Sequence, residues 1–127
     1  MAQKIIIDTD PGIDDAMAIH MAFADPQLDV VGLTTVFGNV TSKQATRNAL
    51  CLAEMASHPA AVAGGAAIPL TREPQPPVDF VHGLEGFGTL PAMRPARMAD
   101  TRNAARYLVE TCAEARGEII ILSLIHI

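Results

Sequence analysis

The sequence has little of what marks several large classes of protein. Among 127 residues it contains two cysteines, no tryptophan and only 4% aromatic residues. Cys51 and Cys112 stand alone, each within a helix-like stretch, which favours buried reduced thiols over a disulfide or a paired metal site. We therefore expect a reducing compartment, and our interpretation is a cytoplasmic protein.

Long apolar runs and basic clusters are also missing. The longest apolar stretch, residues 119–127, falls far short of the roughly 20 residues that a membrane-spanning helix needs. The N-terminus lacks the apolar core and small-residue cleavage site of a signal peptide. The formal net charge is −5 and the arginines are scattered among acidic residues, so no basic surface for phosphates is indicated. We expect neither a membrane nor a nucleic acid as a partner.

What remains is the composition of a globular domain, with half of the residues apolar and 18% charged. Short β-branched runs alternate with helix-like segments along the chain, and this order predicts a doubly wound, mostly parallel α/β sheet with right-handed crossovers. The predicted strands are residues 4–8, 29–37, 61–65 and 118–122, and the predicted helices are residues 10–24, 42–57 and about 100–116.

Two further features refine this prediction. Asp10 followed by Pro11 is typical of a helix N-cap and first helical position, and Met17 and Met21 have the helical spacing of core residues. A proline- and glycine-rich stretch at residues 69–88 predicts a long irregular loop, and loops of that length often line a functional site.

The most unusual feature is an acidic cluster directly after the first strand: Asp8, Asp10, Asp14 and Asp15. The carboxyl ends of parallel strands form the edge where such sheets bind ligands. Asp14 and Asp15 could simply complement the dipole of the first helix, but this explains one or two acidic residues rather than four. A hard divalent cation held by carboxylate oxygens would remove their mutual repulsion, and we prefer this interpretation.

The run DTDPGIDDA at residues 8–16 is similar to the signature of the inosine-uridine preferring nucleoside hydrolases. The resemblance continues through residues 34–40, 63–70 and 81–88, which read TTVFGNV, AGGAAIPL and VHGLEGFG, and it extends to about Leu122. It implies the α/β fold of that family and hydrolysis of the N-glycosidic bond of ribonucleosides to ribose and free base. It also implies that residues 1–127 are the amino-terminal part of a single domain whose carboxyl-terminal half is absent.

The resemblance assigns the acidic residues to a calcium site. Asp10 and Asp15 would coordinate Ca²⁺, and Asp10 would also be the base for a calcium-bound water. Asp8 would support the site without being one of the two metal ligands. Such groups suit the reaction, since an oxocarbenium-like centre needs anionic oxygens near the sugar and an activated water.

The resemblance also assigns substrate contacts. Asp14 and Asn39 would bind the ribose hydroxyls, and His82 would lie near the 5′ hydroxyl or the leaving base. From the residues alone, a turn residue is the better interpretation of Asn39, and an ordinary exposed loop histidine is the better interpretation of His82. The preference for purine or pyrimidine nucleosides stays open.

One departure from the family pattern concerns the end of the sequence. In the family, the strand that matches residues 118–122 continues into a Gly-Pro-x-Thr-Asn type segment that offers calcium a backbone carbonyl, whereas this chain has SLIHI. The leaving-group acid also has no match, so we expect this chain alone to be inactive. The resemblance further implies that the full-length form is a homodimer or homotetramer. Two alternatives are a phosphatase of the haloacid dehalogenase type, which also carries D-x-D after its first strand, and a nucleoside-binding module without turnover.

Overall fold

A computed structural model describes residues 1–125, so the last two positions of the predicted apolar stretch at 119–127 lie outside the described residues. The predicted alternation of strands and helices is confirmed. The elements are β1 (Gln3–Thr9), α1 (Ile13–Ala24), β2 (Leu28–Thr35), α2 (Ser42–Met55), β3 (Ala61–Gly64), α3 (Asp79–His82), α4 (Ala104–Glu114) and β4 (Ile119–Ser123).

The four strands form one parallel sheet in the order β3-β2-β1-β4. The register brings Asp8 of β1 opposite Thr34 of β2 and Ser123 of β4. The carboxyl ends of these strands therefore meet at one edge, where the acidic cluster follows β1.

Helices cover both faces of the sheet, as the doubly wound prediction requires. Ile5 and Ile7 pack with α1 and α2 in one core cluster, whereas Ile6 between them packs with Tyr107 of α4 on the opposite face. This alternation follows from the two-residue period of a strand, and it explains why β1 is apolar on both sides.

The prediction for the start of α1 was wrong. The helix begins at Ile13 with Gly12 as its N-cap, so Asp10 does not cap it. Because the side chain of Asp10 accepts a hydrogen bond from the backbone of Asn39 on another segment, its carboxylate is not available to the helix. Gly12 has no side chain to offer, and other residues must satisfy the first N–H groups of α1.

Three smaller predictions also differ from the structure. Met17 and Met21 are 66% and 71% exposed, because the buried face of α1 carries Asp15, Ile19 and Ala22 instead. The predicted loop at 69–88 contains the single-turn helix α3. Both cysteines are free thiols, but Cys112 is only partly buried.

Within residues 1–125, no helix combines the length and apolar character needed to cross a membrane.

Candidate active site

A cavity of about 1000 Å³ opens at the carboxyl edge of the sheet. Its walls include the loop after β1, the loop after β2, the segment after β3 and the start of α4. Five of the six residues predicted for the site line it, namely Asp8, Asp10, Asp14, Asp15 and Asn39.

Asp10 lies at the base of this cavity and is only 8% exposed. Its Oδ2 accepts a hydrogen bond from the backbone N–H of Asn39 at 2.6 Å, and its Oδ1 lies 3.4 Å from Asn39 Nδ2. Burial raises the pKa of the Asp10 carboxyl to about 6, and the neighbouring charge of Asp15 adds to the rise, while the hydrogen bond from Asn39 opposes it. The charge of Asp10 is therefore only partly compensated by the protein.

Asp15 is better supplied with donors. Its Oδ1 accepts from Thr9 Oγ1 at 2.8 Å, and its Oδ2 accepts from the N–H of Gly12 at 3.1 Å and from Asn39 Nδ2 at 2.8 Å. The bond to Gly12 makes Asp15 the residue that reaches back to the start of α1, as the third helical residue does in a capping box. Asn39 thus bridges the two carboxylates that were predicted as metal ligands, which a simple turn residue would not do.

Gly38 explains how Asn39 comes so close to Asp10. A Cβ placed on Gly38 would overlap the Oδ2 atom of Asp10. Only glycine therefore lets the loop after β2 pass over the Asp10 carboxylate, and sequence reasoning did not identify this requirement.

Asp8 is held by the strands on either side of β1. Thr34 Oγ1 of β2 donates to its Oδ1 at 2.8 Å, and Ser123 Oγ of β4 donates to its Oδ2 at 3.2 Å. Sequence reasoning missed both hydroxyls, because their proximity depends on the order and register of the strands.

Asp14 and His82 occupy opposite environments. The Asp14 side chain is 85% exposed on the cavity wall, whereas His82 is 7% exposed and does not line the cavity. The Nδ1 atom of His82 accepts a hydrogen bond from the N–H of Ile13 at 3.1 Å and lies 3.9 Å from Asp14 Oδ1. His82 therefore completes the N-terminus of α1 that Gly12 leaves uncapped.

Asn48 of α2 was not identified from the sequence. It is 1% exposed, and its Nδ2 donates to the carbonyl of Pro11 at 3.1 Å and to the carbonyl of Glu85 at 2.9 Å. The only signal in the sequence is a polar residue among the buried positions of α2, such as Ala45, Ala49 and Leu52.

The carboxylate oxygens in the cavity could form part of a calcium site. Asp10 and Asp15 offer only oxygen ligands, as a hard cation prefers, and the raised pKa of Asp10 indicates carboxylates short of positive charge. Within residues 1–125, however, no group of three or more acidic, histidine or cysteine side chains is arranged to hold a metal ion. The two carboxylates would therefore need ligands other than these side chains.

Comparisons with known proteins identify the family of this chain. A family model described as inosine-uridine preferring nucleoside hydrolase matches residues 5–124. Uridine nucleosidase 1 of Arabidopsis thaliana is 50% identical over 123 residues, which cover 96% of this chain and 37% of that protein. The non-specific ribonucleoside hydrolase RihC of Escherichia coli is 49% identical over 87 residues, which cover 68% of this chain and 28% of that protein.

Solved structures give the same result. A plant nucleoside hydrolase superposes with a TM-score of 0.91 at 44% identity, covering 98% of this chain and 40% of that one. A purine-preferring ribonucleoside hydrolase from Gardnerella vaginalis superposes with a TM-score of 0.89 at 27% identity, covering 95% of this chain and 40% of that one. The chain thus spans well under half the length of these relatives. Because the family model matches nearly all of it, the chain belongs to the inosine-uridine preferring nucleoside hydrolases.

Proposed function

We propose that the protein that carries this chain hydrolyses the N-glycosidic bond of ribonucleosides to ribose and a free base, with uridine among its substrates. Support for the reaction comes from the family match, and support for uridine comes from the names of relatives that are 44% to 50% identical. The observation that carries the proposal is the pair of buried carboxylates, Asp10 and Asp15, bridged by Asn39 at the base of the cavity.

In this proposal Asp10 is the general base. A carboxyl with a pKa of about 6 is still mostly ionised at neutral pH, yet it is a much stronger base than an ordinary aspartate. Asp10 accepts a proton from the water whose oxygen bonds to the anomeric carbon. The bond to the nucleobase nitrogen breaks, and the base leaves with the electron pair and takes up a proton from a donor that the resemblance places outside this chain.

Asp10 and Asp15 would hold Ca²⁺, which when bound would acidify water and orient oxygen atoms of the sugar. The residues themselves prepare this arrangement. Thr9 and Gly12 fix the carboxylate of Asp15 through hydrogen bonds, and Asn39 fixes both carboxylates in relation to each other. Asp8, held by Thr34 and Ser123, would support the same edge of the sheet.

Asp14 and Asn39 would bind the ribose. Asp14 is exposed on the cavity wall and can accept hydrogen bonds from vicinal hydroxyls. Asn39 donates its amide hydrogens to the two carboxylates, which leaves its Oδ1 to accept from a sugar hydroxyl. His82 accepts the N–H of Ile13 at Nδ1 and does not line this cavity, so in this proposal it holds the start of α1, and its contact with the 5′ hydroxyl or the leaving base stays a prediction.

A chimaera tests the proposal. Residues 5–124 of this chain would replace the matched segment of Arabidopsis uridine nucleosidase 1, and release of base from uridine and inosine would be measured with added calcium and with a chelator. We expect base release that the chelator abolishes and that an Asp10→Asn variant lowers by about 10²–10⁴-fold. Nucleoside binding without base release would instead indicate a binding module, and hydrolysis of a phosphate monoester would indicate the phosphatase alternative.

The cellular setting completes the proposal. The two free thiols are compatible with a reducing cytoplasm, and the full-length protein is expected to be a homodimer or homotetramer.

A further inference from the structure

We infer that Asn48 is a positioning residue that couples the acidic loop after β1 to the glycine-rich loop after α3. Neither the resemblance nor the comparisons assign a role to this position. The inference concerns how the two loops are held together, and its consequence for turnover rests on the proposed function.

The first observation is the complete use of the Asn48 amide. Its two Nδ2 hydrogens reach the carbonyls of Pro11 and Glu85, and its Oδ1 accepts from the guanidinium of Arg47 at 3.0 Å. The side chain is 1% exposed and its bond to Pro11 is buried, so its loss would leave the Pro11 carbonyl without this partner in a buried position. A buried amide with every group paired fixes both partners in one relative position.

The second observation is the close approach of the two loops at this point. A Cβ on Gly86 would lie 2.6 Å from Asn48 Nδ2 and 3.2 Å from the carbonyl oxygen of Pro11. Gly86 also has a φ of 93°, a conformation that favours glycine. The glycine-rich loop therefore passes directly over the amide that binds the acidic loop.

The third observation is that both loops act on the start of α1. Pro11 lies between Asp10 and the N-cap Gly12, so holding the Pro11 carbonyl restricts the backbone on both sides. From the end of α3, directly before the glycine-rich loop, His82 accepts the N–H of Ile13 and packs against Gly12 so tightly that a Cβ there would overlap its ring. Asn48 thus holds the backbone next to Asp10 directly and, through the glycine-rich loop, restrains His82 indirectly.

Other residues of α2 provide matched controls. Gln44 Nε2 donates to the carbonyl of Leu84 at 2.8 Å, which anchors the glycine-rich loop without contacting Pro11. Leu50 is buried in the apolar core on the same helix, and it is part of neither loop contact. Loss of Gln44 tests the effect of loosening one loop, and truncation of Leu50 tests the effect of general destabilisation.

The test is amide hydrogen exchange on the 127-residue chain, followed by kinetics on the chimaera. Asn48→Asp keeps the size of the side chain and removes both donors. We expect it to lower the protection of amides in residues 9–16 and 82–88 together, by about tenfold for the lost hydrogen bonds. Gln44→Ala should lower protection in residues 82–88 and in the first turn of α2, where Gln44 also forms a capping box with Thr41, but not in residues 9–16. Leu50→Ala should lower the protection of buried strand amides while leaving both loops unchanged.

In the chimaera, Asn48→Asp should raise the calcium concentration needed for half-maximal activity. It should also lower kcat, and the factor should be the same for uridine as for inosine. A loss of kcat that differs between uridine and inosine would indicate a contact with the base and would overturn the assignment. Amide protection that falls in only one of the two loops, or by the same factor throughout the chain, would overturn it as well. If the unmutated chimaera releases no base, the proposed function fails, and the exchange experiment still decides whether Asn48 couples the loops.

Discussion

Replacing Asp10 by asparagine should stabilise the metal-free protein at neutral pH, although the same change removes the proposed base. The reason is the raised pKa of this carboxyl, about 6 in the folded protein against 3.8 for an unperturbed aspartate. Between these values the unfolded chain has already ionised while the folded protein keeps its proton. Stability therefore falls as the pH rises from about 4 to about 6, and at neutral pH the full cost of the buried charge is present.

The size of the effect follows from the same shift. One pKa unit corresponds to about 1.4 kcal/mol, so a rise of about two units sets an upper limit of roughly 3 kcal/mol. The new amide can still accept the N–H of Asn39 through its oxygen, but its nitrogen then faces the donor Nδ2 of Asn39, which costs part of the gain. We therefore expect a net stabilisation of about 1–2 kcal/mol for Asp10→Asn at neutral pH.

Urea unfolding in the presence of a chelator measures this difference at about pH 7.5 and about pH 4. The gain should be present at the higher pH and absent at the lower one, where Asp10 is protonated in the folded protein. Asp15→Asn is the matched control, and it should destabilise at the higher pH, because the Asp15 carboxylate accepts three hydrogen bonds that an amide cannot all accept. A gain for Asp10→Asn that is equal at both pH values would refute the reasoning.

Two other predictions concern the sugar and the isolated chain. In the chimaera, Asn39→Ala should reduce the preference for uridine over 2′-deoxyuridine by about tenfold or more, because Asn39 is assigned a ribose contact. Comparing kcat/KM for the two nucleosides checks this prediction. An unchanged preference would count against a ribose contact by Asn39. The purified 127-residue chain should release no base from uridine or inosine at any calcium concentration, because only two side chains are assigned as metal ligands and the resemblance assigns no residue of this chain as the leaving-group acid. A rate comparable to that of the chimaera would contradict this prediction.

The location of the site could be predicted from the sequence, because it depends on local patterns. β1 is a short β-branched run, and residues that follow such a strand in a parallel sheet lie at its carboxyl edge. The same rule applies to Asn39 after β2. Asp10 and Asn39 are therefore near each other in any fold that pairs these two strands in parallel.

The contacts that organise the site could not be predicted in this way. Thr34 and Ser123 contact Asp8 only because β2 and β4 flank β1 in a particular register. The start of α1 was misplaced because the side chain that would cap it, Asp10, is engaged by a loop 29 residues away in the sequence. His82 of α3 caps that helix instead, and the path of the loop that follows α3 depends on Gly86 and Asn48 rather than on any local signal.

The four clustered aspartates differ in the groups that offset their negative charge. Asp8 is neutralised in part by two hydroxyls, Asp15 by three donors, and Asp14 by solvent. Asp10 combines deep burial with a raised pKa, so a bound cation would stabilise its carboxylate. A cation that satisfied Asp10 fully would also lower its basicity, as the hydrogen bond from Asn39 already does in part. The two roles proposed for Asp10, metal ligand and general base, therefore oppose each other, and the desolvation that raises its pKa is what favours the second role.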